Sequence, residues 1–181
     1  VRELLFENRD HVLALLILLA RIGDITTTFL VSPRLTLEAN PIARRLGWRV
    51  GFASLLLCLV PYYSVAVSLV VLVPSLLVSA GNASRAWFSR AIGEERNKEL
   101  ILEAVSRSRP RHALVGVIAS AGFMATTGTV LVWFYPSPDE WAYYFGLGIC
   151  TYAAVIAIYG SLWVRKVFAE GSAGPARGDA T

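Results

Sequence analysis

Six polar residues near the start of the chain have the types and spacing to do chemistry: Arg21, Asp24, Thr27, Thr28, Glu38 and Asn40. Arg21, Asp24, Thr27 and Thr28 follow one another at three- and four-residue intervals, which puts them on one face of a helix. Their surroundings are apolar. An ionised side chain at the centre of a bilayer costs about 2.5–3.5 kcal/mol unless it is paired or hydrated. Arg21 and Asp24 can offset each other, and the threonine hydroxyls can bond Asp24 or a carbonyl one turn back. Glu38 and Asn40 follow in Glu38-x-Asn40-Pro41, where Pro41 suits the first turn of a helix and Asn40 its N-cap. Glu38 then stands near the positive end of that helix. Brought together, these groups could hold a polar ligand, pass an ion, or serve as acid, base and anion holder. Kept apart, they are a packing ion pair and a helix cap.

The elements that must position them are membrane spans. The chain has 181 residues, of which 55% are hydrophobic and only 17% charged, with a mean hydropathy of +0.55. Soluble domains carry about 25% charge. Here the apolar residues cluster in Val12–Ala20, Val50–Ala80, Ala113–Tyr135 and Trp141–Val164, as continuous runs without two-residue alternation. Such runs imply bilayer-crossing helices and disfavour a barrel. The fold class is therefore all-α, a polytopic transmembrane bundle.

Val50–Ala80 is too long for one crossing: as a single helix it would reach about 46 Å, against a hydrocarbon core of about 30 Å. Either it is one long kinked helix, or a turn at Pro61–Ser64 divides it in two, and the second is preferred. The expected spans are then about 12–32, 50–63, 65–84, 113–135 and 141–164, five in all, with four as the alternative. Charge favours five. That count gathers fourteen basic residues on one side, from Arg34 to Arg49, Arg85 to Arg111 and Arg165 to Arg177, and leaves Arg2 and Arg9 on the other. Four spans leave a weaker asymmetry. The positive-inside rule then makes the basic side, with the C-terminus, cytoplasmic. The expected location is the cell membrane, multi-pass.

Between the third and fourth spans, about 85–108, a cytoplasmic amphipathic helix is expected. Glu94/Lys98 and Glu103/Arg107 are favourable i,i+4 pairs, and Leu100, Ile101, Ala104 and Val105 gather on one face. Trp133, Phe134, Tyr135, Trp141, Tyr143 and Tyr144 form an aromatic belt around the outer turn. Gly116/Ser120 and Ala153/Ala157/Ser161 place small residues four apart, which suits close helix packing. Residues 169–181 read as a disordered tail. Residues 1–168 form a single domain.

The pattern Asp24-x-x-Thr27-Thr28, then Glu38-x-Asn40-Pro41, with Asn82 after a later span, resembles an uncharacterised family of small prokaryotic polytopic membrane proteins. The resemblance covers about the first half of the chain. It implies membrane architecture and candidate positions, and no reaction.

No hydrolase, metalloprotease, phosphate-loop or paired-cysteine template is present. Cys58 and Cys150 lie inside apolar runs, and His11 and His112 are isolated at span boundaries. No cofactor, metal or nucleic-acid partner is expected; membrane lipids are, along with self-association or a larger membrane complex. The sequence leans away from an enzyme and towards a structural or accessory subunit of a membrane assembly. A small transporter or channel using Arg21 and Asp24, and an intramembrane enzyme acting on a lipid or its headgroup, are the alternatives.

Overall fold

In the computed structural model, which describes residues 8–38, 40–137 and 141–172, the described residues are helical apart from short connections. Four helices are long and apolar enough to cross a membrane. They are α1 (Arg9–Val31), α4 (Val65–Ile92), α6 (Pro110–Phe134) and the last helix, α7 (Trp141–Val155) continuing through a π turn at Ile156–Gly160 into α8 (Ser161–Ser172). Between α1 and α4 lie α2 (Pro41–Leu46), α3 (Trp48–Ala53) and a 3-10 helix, Ser54–Tyr62. One more helix, α5 (Glu94–Ser106), joins α4 to α6.

Trp48–Tyr62 is a shorter apolar helix, and its contacts run the whole length of α1. Trp48 packs on Phe29 and donates its indole N–H to the Pro33 carbonyl at one end. Ser54 meets Arg21 midway, and Tyr62 bonds His11 at the other end, 2.9 Å apart. The segment is thus antiparallel to α1. Its six α residues and nine 3-10 residues rise about 1.5 and 2.0 Å each, so they reach about 27 Å, close to the thickness of the hydrocarbon core. The chain reverses at Tyr63–Ser64, within the expected turn. The Ser64 hydroxyl caps α4 by accepting from the Val67 N–H.

Three of the expected elements have shifted bounds. The helix that carries the third span does not stop near residue 84: α4 continues to Ile92, and the break falls at Gly93, whose φ of +81° suits glycine. The amphipathic helix is correspondingly shorter, Glu94–Ser106 rather than about 85–108. Helix α8 also continues through Ser172, past the expected start of the tail at 169. The remainder of that tail, 173–181, lies outside the described residues.

The bundle has two ends. The opposed directions of α1, Trp48–Tyr62, α4, α6 and α7–α8 put residues 32–47, α5 and the end of α8 together at one end. His11, Tyr62, Tyr63, the end of α6 and the start of α7 share the other. The first is the basic end.

Helices α1 and α4 run parallel, and Ile17 and Ala20 of the first share a buried apolar cluster with Leu72 of the second. Helices α6 and α7 meet through glycines instead. A Cβ on Gly128 would stand 2.7 Å from the Gly146 carbonyl oxygen, and one on Gly146 would stand 2.7 Å from the Gly128 oxygen. Gly116, expected to lie in a packing stripe, meets nothing within 4 Å, so close approach runs through a different face of α6.

Candidate functional site

The candidate site is built on α1, at its middle, where Arg21 and Asp24 stand one turn apart. The Arg21 guanidinium donates to Asp24 Oδ2 at 2.7 Å. It also donates twice to Ser54 Oγ, through Nε at 3.1 Å and Nη2 at 2.6 Å, and once to Ser75 Oγ at 3.4 Å. Side-chain exposure is 18% for Arg21 and 15% for Asp24. The pair is therefore enclosed by three segments: α1, the 3-10 helix and α4. Ser54 can take both Arg21 bonds because its own proton goes to the Gly51 carbonyl.

From Asp24 the polar contacts continue towards the basic end. The Thr28 hydroxyl reaches Asp24 Oδ1 at 3.5 Å and accepts from Asn82 Nδ2 at 3.0 Å. Thr27 turns its hydroxyl back onto the Gly23 and Asp24 carbonyls, the habit of helical threonines in apolar surroundings. Helix α4 presents Ser68, Ser75, Ser79, Asn82 and Ser89 along one side. Ser79 crosses to the Ala20 carbonyl, and Ser75 also returns a bond to the Val71 carbonyl. Among the described residues, no buried side-chain nitrogen or oxygen lacks a hydrogen-bond partner.

Glu38 and Asn40 form a separate structure. Asn40 is the N-cap of α2, its Oδ1 accepting from the Ile42 N–H at 2.9 Å, and Pro41 opens that helix. Glu38 Oε1 accepts from the Asn40 N–H at 2.7 Å. These bonds are local. The six candidates thus split into a membrane-buried group of Arg21, Asp24, Thr27 and Thr28, and a loop cap of Glu38 and Asn40.

A second carboxylate organises the basic end. Glu94 accepts from the Ser32 hydroxyl, the Arg34 N–H at 2.9 Å, the Thr36 N–H at 3.0 Å and the Thr36 hydroxyl at 2.6 Å. Partial burial pushes its pKa up, but these bonds outweigh burial and hold it below the ordinary glutamate value. They fix the loop in which Leu35 is buried at a φ of +56°. A branched side chain rarely adopts that conformation without such support.

The amphipathic helix is also differently placed from a helix lying freely on a membrane surface. Lys98, Ile101 and Leu102 face Thr36, Leu37, Trp163 and Val167 across a space of only about 10 Å³. The inward face therefore includes Leu102, whereas Ala104 of the expected face is exposed.

Ser54, Ser75, Ser79 and Glu94 escaped the reading of the sequence as site residues. Serines in apolar runs carry little signal, and their partners lie 33 to 62 positions away. Asn82 did have a signal, as the third part of the pattern that begins at Asp24. Among the described residues no group of histidine, cysteine, aspartate and glutamate could hold a metal ion, and both cysteines are free.

No family model matches the chain, and no curated protein and no solved structure is significantly similar to it.

Proposed function

We propose that the protein is a structural or accessory subunit of a membrane assembly, whose intramembrane charges hold its own helices in register. One observation supports this most: Arg21 and Asp24 are engaged chiefly by groups of the same chain. Arg21 spends its donors on Asp24, Ser54 and Ser75, and Asp24 accepts from Arg21 and Thr28. A transport or catalytic site needs groups free to meet a ligand. The open hollow of about 310 Å³ also lies elsewhere, at the basic end.

In this reading the bundle crosses the cell membrane five times, Trp48–Tyr62 being the short second crossing. The N-terminal end lies outside; the basic end, with α5 and the C-terminus, lies in the cytoplasm. The charge asymmetry supports that orientation. The pattern shared by Asp24, Thr28 and Asn82 supports kinship with the small prokaryotic membrane family, as a device for locking helices.

Purification of the full chain from native membranes in mild detergent, followed by native mass spectrometry, tests the reading. A stoichiometric membrane partner is the expected result. A protein that purifies alone, and whose proteoliposomes carry a flux or a lipid conversion abolished by Asp24→Asn, would overturn it.

A further inference from the structure

At the basic end, α1 stops at Val31 while α4 continues to Ile92. The last turns of α4 therefore lose the helix that faces them over the rest of their length. The result is an open hollow of about 310 Å³. One wall is apolar, made by Phe29, Leu30, Val31 and Pro33; the other carries Arg90 and Glu94. Its volume is at the low end of ligand pockets, about 300–1,000 Å³. That suits a compact headgroup rather than a large ligand.

The two charges in the polar wall do not cancel. Glu94 is committed to Ser32, Arg34 and Thr36, so its oxygens are directed into the loop. Arg90 makes no ion pair or hydrogen bond with any described residue, and it is exposed. The nearby cation Arg34 is already paired with Glu95. A free guanidinium beside an apolar wall matches a phosphodiester whose hydrocarbon continues along that wall. The position matches too. Phe29, 54% exposed, has Trp48 against it, and Trp87 is 72% exposed one turn before Arg90. Tryptophans at the end of a spanning helix mark headgroup depth. Arg44, Arg45 and Arg49, at the same end, add positive field with no carboxylate paired to them among the described residues.

We propose that this hollow is a binding site for one anionic phospholipid, with its phosphate on Arg90 and its glycerol and upper chains against Phe29, Leu30 and Pro33. The site rests on the membrane reading of the bundle and is independent of whether the protein is an accessory subunit.

The test uses the full chain in mixed micelles containing equal amounts of phosphatidylglycerol and phosphatidylcholine, with bound lipid read by native mass spectrometry. One retained phosphatidylglycerol per chain is expected. Arg90→Gln should lower its affinity about tenfold, on the scale of one charge-assisted hydrogen bond. Leu30→Trp, which fills the hollow without changing charge, should lower it as well. Arg111→Gln, at the same end but outside the hollow, should leave it unchanged. Thermal melting of each variant separates loss of the site from loss of the fold; Arg90, having no partner, is expected to be neutral. The proposal is overturned if Arg90→Gln binds like the wild type, if Arg111→Gln weakens binding equally, or if phosphatidylcholine is retained as well. Displacement of the lipid by millimolar inorganic phosphate would likewise overturn it, in favour of a free-anion site. Failure of the partner search with this site intact would count against the accessory reading alone.

Discussion

The two halves of the bundle are held by different means. In the first, α1, Trp48–Tyr62 and α4 meet through side-chain hydrogen bonds: Arg21 to Ser54 and Ser75, Ser79 to Ala20, Asn82 to Thr28. In the second, α6 and the last helix meet through missing side chains, Gly128 against Gly146 and Gly160 on Val117, while Gly148 on Val73 joins that half to α4. Lipid removes the hydrophobic drive for helices to associate, and both polar bonds and close backbone approach replace it. They differ in what they specify. Bonds between named donors and acceptors fix register and depth; glycine contact fixes distance.

Changes that separate the two modes can be ordered by size. The largest effect is expected from Asp24→Ala, which leaves Arg21 buried without its counter-charge. A loss of about 3 kcal/mol is expected, because breaking one side of an enclosed pair strands the other. Unfolding equilibria in mixed micelles measure it, and Arg21→Met combined with Asp24→Leu should recover most of the loss. A double variant as unstable as the single one would mean that the pair does more than balance itself. In the glycine half, Gly146→Val forces a side chain against the Gly128 carbonyl and should cost about 2 kcal/mol by overpacking. If it is instead tolerated, α6 and α7 are free to move apart. Ser54→Ala removes two bonds to a guanidinium and should cost about 1.5 kcal/mol. Asn82→Ala, at the edge of the network, should cost about 0.6 kcal/mol, the usual worth of an interhelical hydrogen bond in a membrane.

The smallest expected effect is confined to the basic end and depends on pH. Glu94 has a lowered pKa in the folded protein, so its contribution is fully present above the ordinary glutamate value of 4.5 and fades as pH falls through its lower folded value. Amide hydrogen exchange in residues 34–37 should therefore accelerate only in acid. In Glu94→Gln it should already be fast at neutral pH. Acceleration spread over α1 and α4 would show that the loop is not a separate unit.

Much of the architecture was legible in the residues themselves. Apolar runs gave the long helices, because in lipid a backbone has few alternatives. The i,i+3 spacing of Arg21 and Asp24 gave their ion pair, and Asn40-Pro41 gave a helix start. Each of these signals is local. What stayed hidden depends on which faces meet. Nothing in Ser54 or Ser75 says that both will point at Arg21, and Gly116 looks as suitable for packing as Gly128 until a partner helix is placed. Glu94 looked like half of a surface pair with Lys98, yet the folded chain turns it onto a loop some sixty residues earlier. The end of α4 was misjudged for a related reason. Arg85 and Arg90 suggested an exit from the membrane, whereas the helix itself persists until Gly93 allows a turn.

The 3-10 winding of Ser54–Tyr62 has a consequence for sidedness. With nine of its fifteen residues drawn out to about 2 Å each, Trp48–Tyr62 covers what would take about eighteen in an α-helix. A hydropathy window sized for ordinary spans passes over such a segment. On the five-crossing reading proposed above, parity then changes: with an even number of crossings the start of α1 and the end of α8 share a compartment, and with an odd number they do not. Nine tightly wound residues would thus decide on which face of the membrane the start of α1 stands, while leaving the end of α8 where it was.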